Sequence, residues 1–102
     1  VSIIQESPLW QPFQSLLSDV RSAEPELIKR ENREVVIAIN EVLSEAMGDL
    51  PGTKVSLSPR RIIRNAGFVA NHAILYRTID VDKAIAAMRK GRALLVEHGM
   101  AD

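Results

Sequence analysis

The sequence predicts a mainly all-α domain of about four helices packed as helical hairpins, with one short candidate strand at residues 53–57. Only four residues are aromatic, Trp10, Phe13, Phe68 and Tyr76, so the core must be built from Leu, Ile, Val, Ala and Met. Such side chains suit helix-on-helix packing, and they recur at helical spacing along four stretches of the chain. Capping residues, prolines or glycines punctuate those stretches. A length of 102 residues, with 46% hydrophobic and 25% charged residues, is that of one ordinary folded domain.

Ser7-Pro8 signals the first helix, a capping residue followed by a proline pre-set for the first turn. Leu9, Trp10, Phe13, Leu16, Leu17 and Val20 then line one face. Pro12 implies either a start at that residue or a distorted first turn. Ser22-Ala23-Glu24-Pro25 reads as a break. A long second helix is expected from Pro25 to Met47, ending at Gly48, with Ile28, Val35, Ile39, Val42 and Ala46 as its stripe. Val36, Leu43 and Met47 widen that stripe. Its outer side carries Glu26/Arg30 and Arg30/Glu34, pairs worth about 0.2–0.5 kcal/mol each. Glu24 and Glu26 would sit at its N-terminal end, where the helix dipole favours them.

Gly48-Asp49-Leu50-Pro51-Gly52 is the strongest turn cluster, read as a hinge inside one domain spanning residues 1–102. Thr53 to Leu57 alternates polar and apolar residues, a pattern shared by a short strand and an extended loop. Ser58-Pro59 repeats the first start signal. Ile62, Ile63, Ala66, Val69, Ala70, Ala73 and Ile74 carry a third stripe to about Tyr76. Gly67 interrupts it at a cost of about 1 kcal/mol relative to alanine, and invites the close approach of a neighbouring helix. The last helix is expected to start at Asp80, with Ile79 and Ala84 as a hydrophobic staple. Val81, Ala84, Ile85, Met88 and Leu95 form its buried face. Gly91 weakens its middle and Gly99 ends it.

Charge reverses along the chain. Nine acidic and four basic residues lie between Val1 and Leu50, a net of −5, and nine basic and four acidic residues lie between Pro51 and Asp102, a net of +5. The unusual part is Arg60, Arg61 and Arg64 in the first turns of the third helix, with Lys54 just before them. A helix N-terminus is already electropositive, so each cation there costs up to about 1 kcal/mol at low salt. An anion would offset that cost, which makes Lys54, Arg60, Arg61 and Arg64 a candidate anion- or partner-binding group. The chain also holds its own candidates in Glu24, Glu26, Glu31 and Glu34, acting within the chain or across a dimer. Arg89, Lys90 and Arg92 read as a solvated face of the last helix.

The order Lys54-Val55-Ser56-Leu57-Ser58-Pro59, a short alternating segment running into a helix with a second helix after it, resembles the ribbon-helix-helix family over residues 53–95. That resemblance implies a dimer whose paired strands enter the major groove. Lys54, Ser56 and Ser58 would then face the bases, and phosphates would lie near Asp80 to Asp82. The sequence departs from the pattern there, because Asp80 and Asp82 are poor neighbours for phosphate. The first helix of the unit is also long, and some fifty residues precede the strand.

Other chemistry is not signalled. Without cysteine there is no disulfide, thiolate metal site or thiol catalysis. His72 and His98 are the only histidines, neither set beside a nucleophile, and no His or carboxylate pair has metal-binding spacing. The glycines are dispersed rather than gathered into a phosphate loop. An apolar run as long as any in the chain, Val35 to Ile39, is far too short to span a bilayer. We therefore expect a cytoplasmic, non-membrane, non-enzymatic module with no cofactor and no metal. It would dock on itself as a homodimer or on another protein as an adaptor or regulatory domain, with the long second helix and an exposed Trp10/Phe13 pair as contact surfaces. The alternative is a nucleic-acid-binding regulator using Lys54, Arg60, Arg61 and Arg64. Against it stand a pI near 6.9 and the lack of aromatic residues interleaved with the basic ones.

Overall fold

The computed structural model describes residues 7–48 and 58–102. Over those residues the fold is all-α, as the composition and periodicity predict: α1 (Trp10–Leu27), a 3₁₀ turn (Arg30–Asn32), α2 (Arg33–Met47), α3 (Pro59–Ile74) and α4 (Val81–Glu97). The candidate strand at 53–57, Lys54 and residues 49–52 of the turn cluster lie outside the described residues.

Local contacts fix the direction of each helix. Gly91 of α4 meets Ile39 of α2, while Val42 and Ala46 share a groove with Lys83 and Ala87. Rising numbers on α2 therefore meet falling numbers on α4, and the two are antiparallel. The His72 carbonyl accepts from the N–H groups of Thr78 and Ile79 at 2.8 and 3.3 Å, folding the end of α3 directly onto the start of α4. Thus α3 also opposes α4 and runs the same way as α2. The consecutive pairs α1–α2 and α3–α4 run antiparallel but lie diagonally across the bundle, α4 and α3 each packing chiefly against α1 and α2, and Gly48 and Ser58 stand at opposite ends of it. This is the up-down-down-up order of bundles with a long crossover.

The starts of α3 and α4 follow the predicted signals, whereas α1 starts at Trp10, two residues after Pro8, with Leu9 at its cap position and no side-chain cap. The Ser7 hydroxyl accepts from the Leu9 N–H at 3.1 Å, the Ser58 hydroxyl from Arg60 at 3.2 Å, and the Asp80 carboxylate from Lys83 at 3.1 Å. Pro12 is the third helical residue, a position whose N–H needs no partner in any helix. The stops are equally local. Gly48 has φ +60° and ψ −127°, which side chains disfavour, so α2 ends there. At the end of α4, Gly99 has φ +72°, its N–H donates to Val96 at 3.0 Å, and Met100 donates to Leu95 at 2.8 Å. These two bonds make a Schellman motif.

The predicted break at Pro25 and the long second helix are not observed. Helix α1 continues through Pro25 to Leu27, because Ala23 and Leu27 are buried in the core and that burial outweighs one missing backbone hydrogen bond. The chain then turns at Ile28–Asn32, where the Asn32 side chain donates to the Glu26 carbonyl at 2.8 Å. The turn removes the helical register that would pair Glu26 with Arg30. Glu26 instead meets Lys29 at 3.0 Å. Glu24 and Glu26 consequently lie at the C-terminal end of a helix, where the dipole disfavours them.

The core is continuous across all four helices, with Leu16, Ile39, Leu43, Ile62, Met88 and Leu95 fully buried. Two expectations about glycine reverse. A Cβ on Gly67 would meet nothing within 4 Å, so no described helix approaches it, whereas one on buried Gly91 would touch Ile39 and Leu16 at 3.4 Å. Gly91 is where α4 comes close to its neighbours. Trp10 and Phe13 are half-buried rather than exposed, with ring centroids 6.3 Å apart. No described helix is long and apolar enough to cross a membrane.

Candidate interaction surfaces

The arginine cluster was the site most open to an anion by sequence. Arg60 and Arg64 are exposed and Arg61 is half-buried. The backbone beneath them offers little to a ligand. Pro59 has no N–H, Arg60 donates to the Ser58 hydroxyl, and Arg61 donates to the Ser58 carbonyl at 3.0 Å. An anion there would rest on guanidinium groups alone.

The fold also brings one of the four candidate glutamates to the cluster. Arg60 Nε lies 3.9 Å from a Glu24 carboxylate oxygen, with side-chain exposures of 85% and 45%. Such an exposed pair contributes at most a few tenths of a kcal/mol. The pair joins two misplacements, acids at the negative end of α1 and arginines at the positive end of α3. Each end partly neutralises the other. Arg61 and Arg64 make no ion pair among the described residues, and Lys54 lies outside them.

Arg92 does not belong to a solvated face. Its Nε donates to Asp19 at 2.7 Å and its Nη2 to the main-chain oxygen of Asp102 at 2.6 Å, tying α4 to α1 and to the segment after α4. Arg89 and Lys90 are exposed, as expected.

Two further features escaped the sequence reading. The first is the turn between α3 and α4. Leu75 and Tyr76 are 52% and 65% exposed, and Arg77 follows with φ +57°, the only non-glycine in the left-handed region among the described residues. A left-handed conformation costs a side-chain-bearing residue roughly 1–2 kcal/mol. His72 holds this turn from behind. Its carbonyl takes the Thr78 and Ile79 N–H groups, and its Nδ1 lies 2.7 Å from the Thr78 hydroxyl. Its ring stacks on Phe68 at 4.1 Å and meets Tyr76 at 4.9 Å. Of the four aromatic residues, only Tyr76 presents its ring openly to solvent.

The second feature is a cavity of about 220 Å³ at the α1–α2 elbow, lined by Leu27, Ile28, Lys29, Arg30 and Arg33. Its lining holds three cations and no acid. Ile28 is 65% exposed on it. The neighbouring Glu26 carboxylate, hydrogen-bonded to Lys29, holds that ammonium above its usual range. A larger groove of about 300 Å³ runs between α1 and α4, lined in part by Gln11, Ser15, Met88 and Arg89. No group of three or more His, Cys, Asp or Glu residues among the described ones is placed to hold a metal ion. No family model matches the chain, and neither a curated protein nor a solved structure matches it.

Proposed function

We propose that this chain is a non-enzymatic protein-interaction and assembly module, associating with itself, whose principal anchor is the Leu75–Tyr76–Arg77 turn. The observation that carries this reading is the joint exposure of Leu75 and Tyr76 on a turn that His72 holds rigid. Water should favour burying both side chains, by roughly 25 cal/mol per Å² of apolar surface. Tyr and Arg are also the residue types that dominate binding hot spots. A ring already fixed by its own turn loses little freedom on docking. The strain at Arg77 supports the same reading, since strained turns cluster at functional positions.

Light scattering across a wide concentration range tests the proposal. The wild-type chain is expected to form a dimer or larger species, and Tyr76→Ala to weaken association at least tenfold while leaving the helical circular dichroism unchanged. A chain that stays strictly monomeric at high concentration sinks the self-association.

The second reading, a nucleic-acid-binding surface on α3, has one specific observation in its favour. No acidic residue occurs from Ser58 to Ile79, and exposed Arg60 and Arg64 share the outer side of α3 with half-buried Phe68. A salt titration on a mixed DNA fragment discriminates the two. A binder would lose affinity steeply with salt, and the slope would flatten on replacing Arg60 and Arg61 by alanine. No detectable binding at low salt removes this reading.

A further inference from the structure

We infer that self-association through the Leu75–Tyr76–Arg77 turn is gated by pH, and that the gate is His72. The inference rests on the self-association reading above and adds the condition under which that contact forms.

Geometry ties His72 to the anchor. Its ring lies 4.9 Å from the Tyr76 ring and stacks on Phe68 at 4.1 Å and 24°. Its Nδ1 is 2.7 Å from the Thr78 hydroxyl, and its carbonyl accepts from the Thr78 and Ile79 N–H groups. The imidazole is therefore held directly behind Tyr76. It is half-buried in the free chain, while Tyr76 is 65% exposed. A surface that covers the Tyr76 ring consequently removes water from His72 as well.

That loss of water matters to one charge state. Histidine changes charge between pH 5 and 8. A neutral imidazole is covered at little cost, whereas an imidazolium loses hydration that nothing replaces, and covering an unpaired charge is expensive. No fixed counter-charge offsets this cost. The charged residues nearest along the chain and at this end of the bundle are Arg64 on α3, Arg77 on the turn, Asp80, Asp82 and Lys83 at the start of α4, and Glu45 near the end of α2. All six are exposed and none forms an ion pair with His72. The faces of Phe68 and Tyr76 attract an imidazolium, but they do so before docking as much as after it. Docking therefore releases protons, so association is full above about pH 7 and weakens as pH falls toward about 5.5.

Sedimentation velocity at pH 7.5 and 5.5, at one ionic strength, tests the gate. Wild-type association is expected to weaken at least about tenfold at the lower pH, the effect of one proton over one pH unit, with the helical circular dichroism unchanged. His98→Gln, which removes the histidine at the far end of α4, should behave as wild type. His72→Gln carries no charge at either pH and should associate equally at both. Wild-type association that ignores pH, or a His72→Gln variant that keeps the tenfold loss, overturns the gate and leaves the Tyr76 anchor standing. Should His72→Gln not associate at either pH, the His72 ring proton resonance in the wild-type chain decides. Its titration is expected to move to lower pH as the chain is concentrated, and an unmoved titration overturns the gate. Association at pH 7.5 that is indifferent to Tyr76→Ala, or no association at all, overturns both the anchor and the gate.

Discussion

Asn65 donates its side-chain amide to the carboxamide oxygen of Asn40 at 3.1 Å, and both residues are buried, joining α3 to α2 near the middle of each helix. They are the only buried polar residues among those described, and no described buried side-chain nitrogen or oxygen lacks a partner. Apolar side chains tolerate sliding of one helix along another, whereas a hydrogen bond in a dry interior holds at one offset. The bond therefore sets the register of two helices that run in the same direction and are not joined by a short turn.

Asn65→Leu should destabilise the fold by about 1–3 kcal/mol, because it strands a polar group of Asn40 in the core. The double change Asn40→Leu/Asn65→Leu should cost clearly less than the sum of the two single changes, since it strands neither. Urea unfolding of the four proteins reads this directly. Additive costs would show that the pair is not coupled.

Arg77 offers a gain of stability. Glycine accepts φ +57° without the clash between Cβ and carbonyl that an L side chain suffers. Arg77→Gly should stabilise by about 0.5–1 kcal/mol, part of the relief being lost to the greater freedom of glycine in the unfolded chain. A lower melting temperature for this variant would mean that the arginine side chain makes contacts outweighing the strain.

The two helix-interior glycines should respond differently to enlargement. Gly67→Ala adds a methyl into open space and removes an unfavourable helix residue, so it should stabilise by about 1 kcal/mol. Gly91→Ala brings the same propensity gain, but its methyl meets Ile39 Cγ2 and Leu16 Cδ1 at 3.4 Å. The Leu16 end can shift slightly while the Ile39 branch methyl is stiff, so the net effect should fall near zero. Gly91→Val would drive a branched side chain into both and should cost about 1–3 kcal/mol. Thermal unfolding ranks the three, and a stabilising Gly91→Val would refute the close approach of α4 to α1 and α2.

Helix starts and stops were legible in the sequence because they are written in residues that bond to their own neighbours. Ser58 and Asp80 cap, and Gly48 and Gly99 adopt positive φ, whatever the rest of the chain does. Pro25 misled for the opposite reason. Its local cost is real, but Ala23 and Leu27 on either side are anchored in a core that no local window contains. The common direction of α2 and α3 was likewise illegible, since nothing within either helix records which neighbour it will meet. Charge balance was enough to name Glu24 among the counterions of Arg60, but could not single it out from Glu26, Glu31 and Glu34. The anchor turn did leave a trace. Leu75, Tyr76 and Arg77 run past the buried face of α3 with no glycine to turn on, which periodicity absorbs as the end of a stripe. Lys29, Arg30 and Arg33 converge only because the chain bends at Ile28, where a continuous helix was expected.

Arg92 provides the clearest test of a role that periodicity concealed. On a helical wheel it joins Arg89 and Lys90 as a solvated group, yet it bonds both Asp19 and the main-chain oxygen of Asp102. With side-chain exposures of 41% and 24% for Arg92 and Asp19, the pair is only partly screened by water. Arg92→Ala should cost about 1–2 kcal/mol, above the usual worth of an exposed ion pair. Arg92→Lys keeps the charge but loses the planar fork that reaches two acceptors at once, so it should recover less than half of that. Arg89→Ala, with no such bonds, should fall within about 0.5 kcal/mol of wild type. Denaturant midpoints of the three variants decide the matter: equal losses at Arg89 and Arg92 would reduce the clamp to one more surface charge.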